Sequence, residues 1–188
     1  MSCYEGSYKD QRAAVLKNDV LEARFLPDFG GNLAWLSDGK RQFMVQRPEP
    51  AYRTMPFDGL YTDGECSGMD DMFPTIDACY CEDAPWKGTL LSDHGEVWNT
   101  RCDMQLEEES VAFAMHGIRL PYRFEKRISF SAAHCVRIDY CVTNLSEFDF
   151  DFVWAGHTML CAEPGLRLSV PEDCDAGLAV FSNHGSIG

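Results

Sequence analysis

Basic residues are scarce in this chain. Sixteen lysines and arginines stand against 30 aspartates and glutamates in 188 residues, a formal charge of −14. A surface of that sign repels phosphate backbones and anionic lipid, so neither nucleic acid nor a membrane surface is expected as a partner, and a neutral small molecule fits better. Long hydrophobic runs are also missing: nowhere do roughly 18 uncharged apolar residues follow one another, and the N-terminus has no basic stretch leading into an apolar one. The expectation is a soluble, unprocessed protein of the cytoplasm. Cysteines are present, nine of them, but without paired spacing. Cys79 and Cys81 enclose a single residue, whereas a zinc hairpin needs about two to four and a second pair elsewhere. Free thiols in a reducing compartment, with no metal and no organic cofactor, are therefore expected. No glycine-rich phosphate loop, Gly-x-Ser-x-Gly elbow or His-Glu-x-x-His helix occurs, which leaves NTPases, α/β-hydrolases and zincins without support.

What is present is strand pattern. With 45% hydrophobic residues, residues 1–188 can bury one substantial core and read as a single β-sandwich domain. From residue 96 onward the apolar positions alternate. Val111, Phe113 and Met115 share a face, as do Tyr122, Phe124, Ile128 and Phe130, with Arg123, Glu125, Arg127 and Ser129 opposite. Val136, Ile138, Tyr140 and Val142 repeat the pattern, followed by Phe148, Phe150, Phe152 and Trp154. Such runs predict half-buried antiparallel strands, and the turns between them are rich in Gly, Asn, Ser and Glu. Earlier in the chain, Val20–Leu26 reads as a strand, and Asn32–Leu36 with Gln42–Gln46 as a hairpin around Asp38 and Gly39. Residues 47 to 92 contain few clean strands, yet their aromatic and methionine content predicts a packed excursion covering a site. No long helix and no repeat is apparent, so the fold class is all-β, an antiparallel sandwich.

Two histidines stand at strand ends by this reading. His157 follows the Phe148–Trp154 run at a glycine-containing break, and His94 lies in a Ser/Asp/Gly stretch before the run that starts at Trp98. An imidazole gives and takes protons near neutral pH, and a polyol stacks on aromatic faces, so the pair points to acid/base chemistry on a sugar. For a lone histidine the ordinary reading is a turn or core residue bonded to a carbonyl. Asp93 could orient His94, and Glu96 and Trp98 extend toward the same end. The carboxylates of Asp70 and Asp71 could accept sugar hydroxyls or cap backbone amides in an acidic loop. His94 and His157 are expected to meet on one concave surface.

Five segments in order, Pro27-Asp-Phe-Gly-Gly-Asn-Leu33, Gly68-Met-Asp-Asp-Met-Phe-Pro74, Ser92-Asp-His-Gly-Glu-Val-Trp98, Trp154-Ala-Gly-His157 and Glu163-Pro-Gly-Leu-Arg-Leu168, resemble the galactose mutarotase-like superfamily, the aldose 1-epimerases and their relatives. The resemblance runs over residues 20 to 171. It implies a β-supersandwich with a sugar cleft on its concave face, here lacking the usual C-terminal strands. It also implies that His157 protonates the ring oxygen and that His94 binds substrate near the reacting carbon, with Asp71, Trp98 and Glu96 placed to hold the sugar. The glutamate base of such enzymes comes from a later strand, and no residue here matches it. The expected function is an aldose 1-epimerase-like isomerase interconverting pyranose anomers. The alternative is a non-catalytic sugar-binding or sugar-sensing domain on the same sandwich. An exposed terminal edge carrying Leu178 and Val180 would favour homo-oligomers.

Overall fold

A computed structural model describes residues 1–82, 84–167, 169–171 and 174. Among the described residues, twelve strands and two short 3₁₀ turns make up the regular structure, and there is no α-helix. In chain order the strands are β1 (Ser2–Tyr8), β2 (Gln11–Lys17), β3 (Glu22–Leu26), β4 (Asn32–Ser37), β5 (Met69–Met72), β6 (Cys79–Tyr80), β7 (Leu90–Leu91), β8 (Asp103–Leu106), β9 (Ser110–His116), β10 (Tyr122–Ala132), β11 (Cys135–Asn144) and β12 (Ala155–Thr158). They form a six-stranded sheet ordered β1-β2-β3-β4-β5-β12, a four-stranded sheet ordered β11-β10-β9-β8, and the small β6-β7 pair. Every neighbouring pair is antiparallel.

The two larger sheets pack face to face. Ala14, Leu16, Ala23, Phe25 and Leu33 from the first meet Val111, Phe113, Met115, Tyr122, Phe124 and Ile128 from the second in one buried cluster. Period-two alternation produces this interface: along β10, Tyr122, Phe124 and Ile128 are buried while Arg123 and Arg127 are exposed, as a half-buried strand requires. The six-stranded sheet is covered on its other face too. Tyr8, Ala13, Leu26, Phe29, Ala34 and Tyr52 form a second buried cluster there, with Tyr52 supplied by the long excursion after residue 47.

The pattern misled in several places. The β1–β2 hairpin has no alternation to read in its second strand, because Ala13, Ala14, Val15 and Leu16 are all buried. The stretch from Phe148 to Trp154 alternates without forming a strand. Its aromatic rings wedge against Trp86, Phe73 and Tyr140 at centroid distances of 4.9–6.1 Å. Consequently β12 begins at Ala155, and His157 lies within a strand rather than after one. Residues Val97–Asn99 form a 3₁₀ turn, so the strand expected from Trp98 starts only at Asp103. In the excursion, Met69–Met72 contributes an interior strand of the main sheet. Gln42 meets Ser37 through an isolated bridge, while Met44 bridges to Leu160 instead of continuing the expected hairpin. Leu178 and Val180 lie outside the described residues.

Candidate functional site

The site is set by one register. Strand β12 pairs with β5 so that His157 stands opposite Asp70, and Gly156 opposite Asp71. Successive residues of a strand point to opposite faces. Asp70 and His157 therefore share the face turned away from the four-stranded sheet, while Asp71 is turned into the interface between sheets. The Nδ1 of His157 lies 3.4 Å from Asp70 Oδ1, an ion-pair distance at which neither atom completes a well-aligned hydrogen bond with another partner. The neighbouring Asp70 carboxylate raises the imidazole's pKa, against the opposing effect of partial burial. The positive form of His157 is thus favoured.

Tyr61 completes this arrangement. It opens the 3₁₀ turn Tyr61–Asp63, and its hydroxyl donates to Asp70 Oδ2 at 2.7 Å. Burial and the Asp70 charge push its own pKa far upward, so it remains a neutral donor. One face of the Tyr61 ring lies flat on the His94 ring, with centroids 3.9 Å apart and planes 2° from parallel. Trp98 meets Tyr61 edge-on at 5.1 Å.

His94 arrives by a different route, on the Ser92–Gly95 turn. Gly95 N–H donates to Ser92 O at 3.0 Å, His94 N–H to Ile76 O at 2.7 Å, and Glu96 N–H to Phe73 O at 2.8 Å. Both His94 (φ 60°) and Gly95 (φ 70°) adopt left-handed backbone. A Cβ at position 95 would overlap the Phe73 carbonyl, so glycine is required for the turn to press onto Phe73. A histidine at positive φ is a strain that tertiary contacts must hold in place. The His94 Nδ1 lies 2.9 Å from Asp93 Oδ1, which selects the Nδ1–H tautomer and leaves Nε2 available.

The outcome is two imidazoles with ring centroids 5.2 Å apart at 63°, each with a carboxylate at Nδ1. The His157 side chain is 31% exposed and that of His94 19%. Beside them, Arg119 reaches both Ser92 and Asp58. Its guanidinium holds Asp58 below the usual carboxylate range and fastens the loops that frame the His94 turn. Among the described residues no group of three or more His, Cys, Asp and Glu side chains is placed to hold a metal ion.

Three residues expected at the sugar sit elsewhere or deeper. Asp71 is 1% exposed. It forms an ion pair with Lys126 Nζ at 2.7 Å and accepts the Trp154 indole N–H at 3.3 Å, between the sheets. Glu96, also 1% exposed, accepts hydrogen bonds from Ile118 N–H, Arg119 N–H and the Tyr122 hydroxyl at 2.9–3.0 Å. A carboxylate so occupied and buried anchors the 118–122 loop instead of facing a ligand. Trp98 is 8% exposed and supports Tyr61 rather than offering a stacking face. Tyr61 is the contributor that the sequence reading passed over, and Asp70, named there beside Asp71, takes the place expected of Asp71. The signal for Asp70 was its parity within the Asp-Asp pair, while nothing local marked Tyr61.

No family model matches this chain, and no curated protein matches it. Among solved structures, the Slr1438 protein from Synechocystis sp. PCC 6803 aligns with a TM-score of 0.65 at 14% identity, over 87% of this chain and 60% of that one. The chain thus spans about three-fifths of that protein's length. The 4-alpha-glucanotransferase from Thermococcus litoralis aligns at a TM-score of 0.49 and 17% identity, over 74% of this chain and 24% of that one. At such identity the Slr1438 likeness is one of fold, and it agrees with the antiparallel sandwich described above. No helix among the described residues is long and apolar enough to cross a membrane.

Proposed function

We propose that the chain carries an aldose 1-epimerase-like site that interconverts the anomers of a pyranose through acid/base ring opening and closing. One observation supports this reading above the others: two imidazoles, each backed by a carboxylate, stand side by side. Anomer exchange needs groups that address two oxygens bonded to the same carbon, the ring oxygen and the anomeric hydroxyl. Two imidazoles with ring centroids 5.2 Å apart are near enough for one monosaccharide to meet both. In this proposal His157, whose protonated form Asp70 favours, gives its proton to the ring oxygen as the bond to the anomeric carbon breaks, while the hydroxyl on that carbon, held by His94, loses its proton to a base and becomes the carbonyl. Rotation about the next carbon–carbon bond and closure on the other carbonyl face yield the other anomer. No cofactor enters these steps. The five-segment resemblance supports the same assignment, and a reducing, cytoplasmic setting suits a chain with no disulfide among its described residues.

The test is exchange NMR or polarimetry on freshly dissolved α-anomers, corrected for spontaneous mutarotation. His157→Asn should lower kcat by roughly 10²–10⁴, the usual contribution of a positioned acid, with sugar affinity nearly kept because the acid acts mainly in the transition state. The wild-type rate should also fall as pH rises through the elevated His157 pKa, since the acid form is then lost. A wild-type chain that binds an aldose without accelerating exchange would replace the enzyme reading with that of a sugar-binding module.

A further inference from the structure

We propose that the floor of the site binds one internal water molecule, which donates its two protons to Asn32 Oδ1 and Asp70 Oδ1 and makes Asn32 a positioning residue for the Asp70–His157 pair. The water site stands whether or not the chain exchanges anomers, since neither its geometry nor its test involves a sugar.

Two buried acceptors meet there. Asn32, at the start of β4, is 5% exposed. Its Nδ2 donates to Trp98 O at 3.1 Å, which fixes the orientation of the amide. Its Oδ1 has no hydrogen-bond partner among the described residues, and neither has Asp70 Oδ1. Leu33 pairs with Met69, and antiparallel pairing therefore sets Asn32 facing Asp70 on the other side of the sheet from Leu33. Both residues line one cavity of about 10 Å³, the room of a single water molecule. Tyr52, Tyr61 and Trp98, each less than a tenth exposed, wall it in. A buried amide oxygen with no donor bears the full cost of its lost hydration. A molecule with two protons to give, set between the two acceptors, removes that cost for both.

The charges around the cavity favour water over a cation. Glu65, the other carboxylate in its wall, is taken up by the Lys9 ammonium and by the Arg53 N–H at 2.8 Å, and Asp70 faces His157. Two acids are thus matched by two bases, and a neutral donor leaves that balance intact. Tyr52 also suits a water: burial and the Glu65 charge keep it a neutral hydroxyl, able to donate to the water oxygen. On Asp70 the water acts as the Tyr61 hydroxyl acts on Oδ2. Each donor takes up part of the carboxylate's charge and leaves less of it for His157. The other groups that face His157 are the rings of His94 and Tyr61.

The experiment is a crystal structure of the wild-type chain fine enough to show ordered water, joined to oxygen-17 relaxation dispersion, which counts long-lived internal waters in solution, and to NMR titration of the His157 ring. The wild type should hold one ordered water within about 2.7–3.2 Å of both Asn32 Oδ1 and Asp70 Oδ1. Asn32→Leu keeps the volume without the acceptor; it should lose one long-lived water and move the His157 titration upward by roughly half a pH unit. Asn32→Ser keeps an oxygen in a roomier cavity and should retain both the water and the wild-type titration. The wild-type structure decides the site even if Asn32→Leu does not fold. A dry cavity, a monovalent cation in place of the water, or Asn32 Oδ1 closed directly onto the Tyr52 hydroxyl would overturn the proposal, and an unmoved His157 titration in a folded Asn32→Leu would remove the positioning role. Each of these outcomes is read without sugar, so it is separate from the success or failure of the anomer-exchange reading.

Discussion

Replacing Lys126 by methionine should cost about 3–5 kcal/mol, because it strands a buried carboxylate. Lys126 occupies an apolar parity position on β10, between Phe124 and Ile128, and its ammonium lies 2.7 Å from Asp71 Oδ2 with the two side chains only 3% and 2% exposed. Beyond Lys126, the Trp154 indole N–H at 3.3 Å also donates to Asp71. Once the ammonium is gone, Asp71 must either stay charged among the side chains of the inter-sheet core or take a proton, and both are unfavourable. Set against a domain stability of about 5–15 kcal/mol, the loss is large. It corresponds to a fall in Tm of roughly 6–20 °C for a chain of this size. Urea unfolding at pH 7 followed by tryptophan fluorescence measures it directly. The double variant Lys126→Met with Asp71→Leu removes both charges and should recover most of the loss, since a buried pair is often replaceable by packed apolar groups. A cost below about 1 kcal/mol for the single change, or a double variant as unstable as the sum of its parts, would refute the view that this pair is sealed between the sheets. Asp71 would then be open to a sugar after all.

Two further substitutions probe the frame of the site. Gly95→Ala places a methyl against the Phe73 carbonyl at a left-handed position; it should cost about 1–3 kcal/mol and displace His94, and an unchanged thermal melt would contradict the packing described. Tyr61→Phe keeps the ring on His94 but removes the donor to Asp70 Oδ2, leaving the carboxylate's charge for His157. The His157 pKa, followed by NMR titration of its ring protons, should move further up and carry the alkaline limb of the rate profile with it, whereas a downward move would show that the hydroxyl does not compete for Asp70.

The four-stranded sheet was legible because its central strands β9 and β10 bury one face, and Val111, Phe113, Tyr122, Phe124 and Ile128 record that burial, while β11 alternates between half-buried and exposed. Where both faces are covered, as in Ala13–Leu16, the period vanishes and the strand is silent in the sequence. The alternation of Phe148 to Trp154 deceives for the opposite reason: its rings fill gaps around Trp86 and Phe73 rather than one face of a sheet. Lys126 shows a finer limit. It stands at the parity of the buried face, but the partner that makes burial tolerable, Asp71, is 55 positions away in the chain. The site carries the same lesson further. Histidine type and turn context singled out His94 and His157, whereas the choice between Asp70 and Asp71 depends on which face of β5 looks toward β12, and only tertiary pairing fixes that. Because the side-chain period of a strand is two, a slip of one residue would exchange the two aspartates. The carboxylate that now pairs with Lys126 would face the histidines, and the one that serves His157 would enter the core. Both the inter-sheet ion pair and the proposed chemistry therefore depend on the register that sets Asp70 opposite His157.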